Sequence, residues 1–457
     1  MKKKHLLCML PFLALGTLVS CGPETKRDAL IFFVWGDSNE ISWYEKIARD
    51  FTKDTGIKIS VEPSAGDYYD VLNVKFSSGN TAPDIFFTEG GQLPAHLASK
   101  KLLNLSPYIE SGELDVKTDA NPDGKIELWD VNDSYRYNGS QIGTGDYYAF
   151  IKDWSPDFIL WYNKAHIDEY NTTNNFVSGD PGFMEYPSKT VPLTWDEFID
   201  MSFKLKKGTR YGTMLDRVPY KHVMEWIQMT GSSTWVNDKY FNSRDPNVLK
   251  AFQFFTDLQV GDKASAPKVG PSGVDSGTAF ANGQISFAFF GSWAYSSYGW
   301  DNVGFDFDCC PAPVPAHADK SPLTQDDCYA GSCGMTSLAI YKNSTLKANA
   351  VQFLNYYMTK GNEYMAKKGF NIPGNKAIAN SDIYKNPEDP KLASINQFFL
   401  NISQTYTHPI VYNRFIDQET FEDHAGNRMS DYLANPGGTT LQAVLDQIAE
   451  DVRRDID

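Results

Sequence analysis

Ala29-Leu-Ile-Phe-Phe-Val-Trp35 is a continuous apolar run, followed at once by Gly36-Asp37-Ser38. A strand that is hydrophobic on both faces must be covered on both faces, as in a sheet flanked by helices. The sequence downstream supplies such covers. Trp43, Ile47 and Phe51 recur at helical spacing over Ser42–Asp54, with Gly56 as the C-cap. Ile57–Val61 alternates and reads as a second strand, Tyr68–Ser77 as a helix stopped by Gly79, Pro83–Thr88 as a third strand, and Leu93–Ser99 as helix again. This β-α-β-α-β-α rhythm predicts a mostly parallel sheet with helices on its faces. Ligands of such sheets gather at the carboxyl ends of the strands, which places Trp35-Gly-Asp37-Ser and Thr88-Glu89-Gly-Gly91 on the functional rim.

The chain has 457 residues, enough for two large lobes. Hydrophobic residues make up 42% and charged residues 22%, which gives material for packed cores and excludes general disorder. The formal charge of −15 excludes a basic nucleic-acid binder. Farther along, Thr194-Trp-Asp-Glu197 is a capping box that opens a helix. Asn247–Val260, Leu346–Met358 and Leu441–Arg453 carry helical patterns, whereas 261–277 and the Pro311, Pro313, Pro315, Pro322 stretch read as irregular. There is no tandem repeat.

The N-terminus reads as an address. Lys2, Lys3 and Lys4 precede a mostly apolar segment, Leu6–Ser20, that is too short for a span of ~20 residues. Leu18-Val-Ser-Cys21 resembles a bacterial lipobox, which implies a signal peptide over 1–20, diacylation of Cys21 and a short polar tether over 21–26. Two acyl chains suffice for stable anchoring, so the body is expected outside the cytoplasmic membrane and attached to it only through lipid. Cys309, Cys310, Cys328 and Cys333 lie within 25 residues, and either disulfides or buried thiols fit. A bridge between the adjacent Cys309 and Cys310 would be strained, and no C-x2-C pair suggests zinc.

Several ordered segments resemble the family 1 extracellular solute-binding proteins, the carbohydrate receptors of ATP-binding-cassette importers that include maltose-binding protein. They are Thr55–Val61, Gly79–Phe87, Lys101–Tyr108, Phe158-Ile-Leu-Trp-Tyr-Asn-Lys164, Pro192–Phe198, Phe280–Trp293 and Ala348–Pro373, together spanning most of the chain. Two departures are Trp161, where an aliphatic residue is usual, and a long inserted segment over 111–146. The resemblance implies an α/β clamp of two lobes, one formed by 27–151 with 334–380 and the other by 152–333 with 381–457. Crossovers are expected near Phe150–Trp154 and Gly331–Gly334. Hinge closure around a sugar or oligosaccharide would present a closed monomer to permease subunits, with no cofactor required and no bond chemistry.

A sugar has apolar C–H faces and a hydroxyl rim, so its receptor needs flat aromatics beside carboxylates, amides or arginine. On that ground Trp35, Asp37 and Glu89 at strand ends, Trp293 after the small-residue strand, Asp153 and Trp154 at the expected hinge, and Tyr329 and Gly331 (with Asp326 and Asp327) before the second crossover are candidate ligand contacts. Arg414 is a weaker candidate. Trp226 fits either the cleft or the second core, and Trp195, Trp235 and Trp300 read as structural. A separate pattern, Asp119, Asn121, Asp123, Gly124, Lys125 (through its carbonyl), Glu127 and Asp130, has the spacing of a calcium loop, so a structural Ca²⁺ that orders the insertion is expected there; a simple Asn-Pro-Asp-Gly turn is the alternative. No H-E-x-x-H, Walker A, G-x-G-x-x-G after a strand or G-x-S-x-G motif occurs. The rival enzymatic reading is a secreted glycoside hydrolase with Glu89 and Asp153 as its carboxylates. A receptor for a polyol, glycerol phosphoester or peptide is a further alternative.

Overall fold

The computed structural model describes residues 27–457 except 79–80, 216–219, 261–274, 316–332, 406–412, 414 and 417. Its two larger sheets are built from ten strands: β1 (Ala29–Val34), β2 (Lys58–Pro63), β3 (Ile85–Thr88), β4 (Ala149–Pro156), β5 (Ile159–Asn163), β6 (Tyr211–Thr213), β7 (Ile285–Phe290), β8 (Phe307–Cys310), β9 (Cys333–Ile340) and β10 (Ile372–Pro373). They form a six-stranded sheet in the order β10-β4-β9-β3-β1-β2 and a four-stranded sheet in the order β8-β5-β7-β6.

The opening βαβ rhythm is present: β1 pairs parallel to both β2 and β3. The helix between β1 and β2 runs over Ser38–Thr55 and buries Tyr44, Ile47, Ala48 and Phe51. It starts earlier than its apolar spacing alone predicts, because Asp37 and Glu40 form a capping box, and it ends on Gly56 at φ +77. The expectation of mostly parallel sheets is corrected. β9 lies antiparallel to both β3 and β4, β4 antiparallel to β10, and in the smaller sheet β5 is antiparallel to β7 and β8. The reason is the chain's route. β4 carries it out of the large sheet and β9 carries it back, so the two must run in opposite directions.

The first crossover and the later lobe boundary also move. β4 stays in the large sheet through Pro156, so the first crossing falls at Asp157, beyond the expected Phe150–Trp154. The helix Asp382–Lys385 still packs on 362–368 and 376–379 of the first lobe, past the boundary expected at 380. Helix Pro390–Thr405 then spans the junction: Asn396 donates to the Tyr384 carbonyl, while the Phe399 ring lies 5.7 Å from Trp161 of the second lobe.

The second lobe is held by stacked rings. Trp195 lies flat on Phe254 at 4.5 Å, and its Nε1 donates to the Pro313 carbonyl. Trp161 packs on Trp300 at 5.1 Å and donates to the Phe290 carbonyl. Thr194 and Glu197 cap the helix Trp195–Lys204 as expected. Cys309 and Cys310 are free, buried thiols, and burial pushes both up. Cys328 lies outside the described residues. No helix among the described residues is long and apolar enough to cross a membrane.

The 119–130 loop is tied down by contacts of its own. Asn121 spends its amide nitrogen on the Asp115 carboxylate and the Val116 carbonyl. Glu127 pairs with Lys117, and its backbone N–H donates to Asn375. Ile126 is fully buried and bridges Val116. Among the described residues no group of three or more His, Cys, Asp or Glu could hold a metal. The segment is ordered by its own turn and by docking on the first lobe, where Trp129 Nε1 donates to the Pro373 carbonyl.

Candidate functional site

Between the two sheets lies a cleft of about 400 Å³. The first lobe contributes Trp35, Asp37, Glu40 and Glu89. From across the junction come Asp157, Trp293, Ser297 and Tyr298; the strands β4 and β9 that lead to the crossings add Lys152 and Thr336, and the turn into β10 adds Phe370 and Asn371. Of the residues expected from sequence, the structure thus brings Trp35, Asp37, Glu89 and Trp293 together.

Trp35 follows β1 directly. Its ring is half-buried and edge-on against Tyr68 at 4.6 Å and Phe87 at 5.1 Å, so the site begins where the strand's core ends. Gly36 turns the chain at φ +145, and a Cβ there would lie 2.7 Å from Glu40 Oε2. Only glycine fits that conformation and that approach. Asp37 Oδ1 accepts from the N–H groups of Asn39 and Glu40, and Glu40 Oε2 accepts from the Asp37 N–H at 2.7 Å. Asp37 Oδ2 is buried without a partner. Burial raises the Glu40 carboxyl to about 7, against the opposing pull of the Asp37 N–H and of Lys152. Glu89 follows β3, with its N–H donating to Tyr69 Oη at 3.1 Å.

On the opposite side Trp293 is partly exposed. Its indole Nε1 donates to Asp157 Oδ1 at 3.1 Å, and its ring meets Phe290 and Tyr298. Below the cleft Lys152 is 2% exposed and ion-paired with Asp153. The rings of Phe87, Tyr44 and Phe370 surround its ammonium at 4.8, 5.4 and 5.5 Å.

Three sequence-based candidates are corrected. Asp153 is 3% exposed and does not face the cleft; it neutralises Lys152 and accepts from Asn371 Nδ2, thereby supporting a residue that does. Trp154 is buried with its ring 5.2 Å from Trp129, because the 111–146 insertion folds over it. Trp226 is fully buried between Phe158 and Phe254 in the second core. Tyr329, Gly331, Arg414, Asp326 and Asp327 lie outside the described residues. Sequence reasoning missed Glu40, Lys152, Asp157, Tyr298, Phe370 and Asn371. The Asp37-x-x-Glu40 capping box was there to find Glu40; the others reach the cleft through tertiary packing that no local pattern marks.

Two α/β lobes joined by crossing strands, with a polar and aromatic cleft between them, define the class of two-lobed solute-binding clamps. Residues 46–393 match the bacterial extracellular solute-binding proteins, and the chain belongs to that family. None of the curated proteins matches the sequence. Among solved structures, the chain is similar to a substrate-binding protein of an ABC transporter from Listeria monocytogenes, in complex with cycloalternan. That match has a TM-score of 0.74 and 18% identity, over 93% of this chain and 98% of the other. The maltotriose-binding protein of Thermus thermophilus, bound with maltotriose, matches at TM-score 0.67 and 17% identity over 94% and 100%. The UgpB protein of Mycobacterium tuberculosis, in complex with glycerophosphocholine, matches at 0.70 and 17% over 94% and 98%.

Proposed function

We propose that this protein is a receptor, anchored through lipid on Cys21, that captures a sugar or short oligosaccharide in the interlobe cleft and delivers it as a monomer to the permease of an ATP-binding-cassette importer. The observation that carries the reading is the cleft wall, where Trp35, Trp293, Tyr298 and Phe370 stand among Asp37, Glu89 and Asn371. The rings suit the C–H faces of a pyranose, and the acceptors suit its hydroxyls. The saccharides bound by the Listeria and Thermus proteins support the same class.

The glycerophosphocholine of the mycobacterial neighbour raises the phosphoester alternative. Carboxylates weigh against it. Lys152 is the one Lys or Arg among the described lining residues, and Asp153 already neutralises it. A phosphate would face net repulsion. Hydrolysis finds little support, since its nominated pair of Glu89 and Asp153 is broken by the burial and ion pairing of Asp153. On this reading the protein acts by binding and hinge closure.

A thermal-shift screen with maltotriose, monosaccharides and glycerophosphocholine, paired with product analysis, tests this. A saccharide at ~100 times its Kd should stabilise the fold by about 2.7 kcal/mol and be recovered intact. Turnover, or stabilisation by the phosphoester alone, would refute it.

A further inference from the structure

Asp157 sits one residue past β4, where the chain leaves the large sheet. Glycines from two other segments enclose its carboxylate. A Cβ on Gly334, in the returning strand β9, would lie 1.9 Å from Oδ2, and one on Gly291, just past β7, would lie 2.5 Å from Oδ1. Any side chain at either position would displace the carboxylate. Through this seat Asp157 reaches the indole N–H of Trp293 at 3.1 Å. The same seam is pinned beside it: the Ser292 N–H donates to Ser155 Oγ at 3.0 Å, and Ser292 Oγ donates to Asn371 Oδ1 at 3.1 Å. The other ring contacts of Trp293, Phe290 at 5.4 Å and Tyr298 at 5.8 Å, are apolar and weakly directional. A hydrogen bond to a carboxylate is directional and strong, so it selects one ring orientation.

We propose that Asp157 is a positioning residue whose carboxylate, seated between the strands that cross the lobes, fixes the Trp293 ring in the cleft wall and ties its orientation to the hinge. The proposal rests on Trp293 meeting the ligand. With the acceptor removed, the ring keeps its apolar neighbours but loses its preorganised orientation, and affinity falls; because Asp157 also lines the cleft, a Trp293→Phe background separates this loss from that of any contact Asp157 makes itself.

The first test needs no ligand. In nitrogen-labelled protein the Trp293 indole resonance is assigned with Trp293→Phe. In Asp157→Ala that N–H should exchange with solvent about tenfold faster, while the other nine of the ten Trp indoles stay unchanged. Asp157→Asn keeps an acceptor oxygen and should restore slow exchange. If Asp157→Ala does not fold, Gly334→Ala, whose methyl takes the carboxylate's seat, should give the same signature. With maltotriose as the calorimetric probe, Asp157→Ala should weaken binding about tenfold when Trp293 is present and leave it unchanged in the Trp293→Phe chain. Unchanged indole exchange, or equal affinity losses in both backgrounds, would overturn the proposal. Failure of maltotriose to bind at all would instead count against the oligosaccharide reading and leave the exchange result to decide on Asp157.

Discussion

At the residue scale, ring burial separates function from packing. Trp293 and Trp226 are both tryptophans that sequence alone nominates for the ligand, yet one lines the cleft and the other has no exposed surface. Trp293→Ala should therefore weaken ligand binding by roughly tenfold, about 1.4 kcal/mol, with the melting temperature nearly unchanged. Trp226→Ala should cost about 3–5 kcal/mol of stability by opening a cavity. Calorimetry and denaturant melts on the two variants distinguish the roles. Glu40 adds a pH signature. Its carboxyl is raised from 4.5 to about 7 in the folded protein, chiefly by burial. The folded state then binds more protons than the unfolded state between these values, so Glu40 makes stability fall as pH rises through that window. Glu40→Gln keeps an acceptor for the Asp37 N–H and removes the titration. The variant should be more stable than the parent at pH 8 by roughly 1–3 kcal/mol, with the difference vanishing toward pH 4. Melts across pH check the sign.

At the element scale, helix starts were the most legible features, because capping is local chemistry. Thr194 and Glu197 form the expected box, far from the cleft. Thr194→Ala should lower stability by about 1 kcal/mol and leave ligand affinity unchanged, as urea melts and calorimetry would show. The calcium-like spacing over 119–130 is local as well, and it does not say where its side chains are tied. Spacing predicts which residues can converge, whereas Asn121 and Glu127 are held elsewhere by Asp115, Lys117 and Asn375, which the pattern does not include. Strand direction was equally hidden. An apolar run such as β4 declares burial, but its antiparallel pairing with β9, whose Thr336 lies opposite Asp153, is set by a partner far along the chain.

At the scale of the whole molecule, the cleft joins side chains from both lobes and from the segments that cross between them. A ligand touching both walls binds the closed arrangement better than the open one and shifts the population accordingly. Small-angle scattering with a saturating saccharide should show a smaller radius of gyration than the free protein, and no change would separate binding from closure. Asp157, Gly291 and Gly334 meet where the chain crosses between the sheets, and a methyl added at either glycine would collide with the carboxylate.

Periodicity, caps and turn residues by themselves determined that the chain has α/β lobes, where the helices of the first lobe lie, and that Trp35, Asp37 and Glu89 sit at strand ends. These are short-range properties, written in side-chain spacing. Ordered motifs extended the reading to a two-lobed solute-binding clamp. The tertiary structure alone decided that Trp154 and Trp226 belong to cores, that Asp153 serves Lys152, and that Asp157 reaches Trp293. Each of these depends on what a residue distant in sequence brings beside it, and burial is a property of both partners.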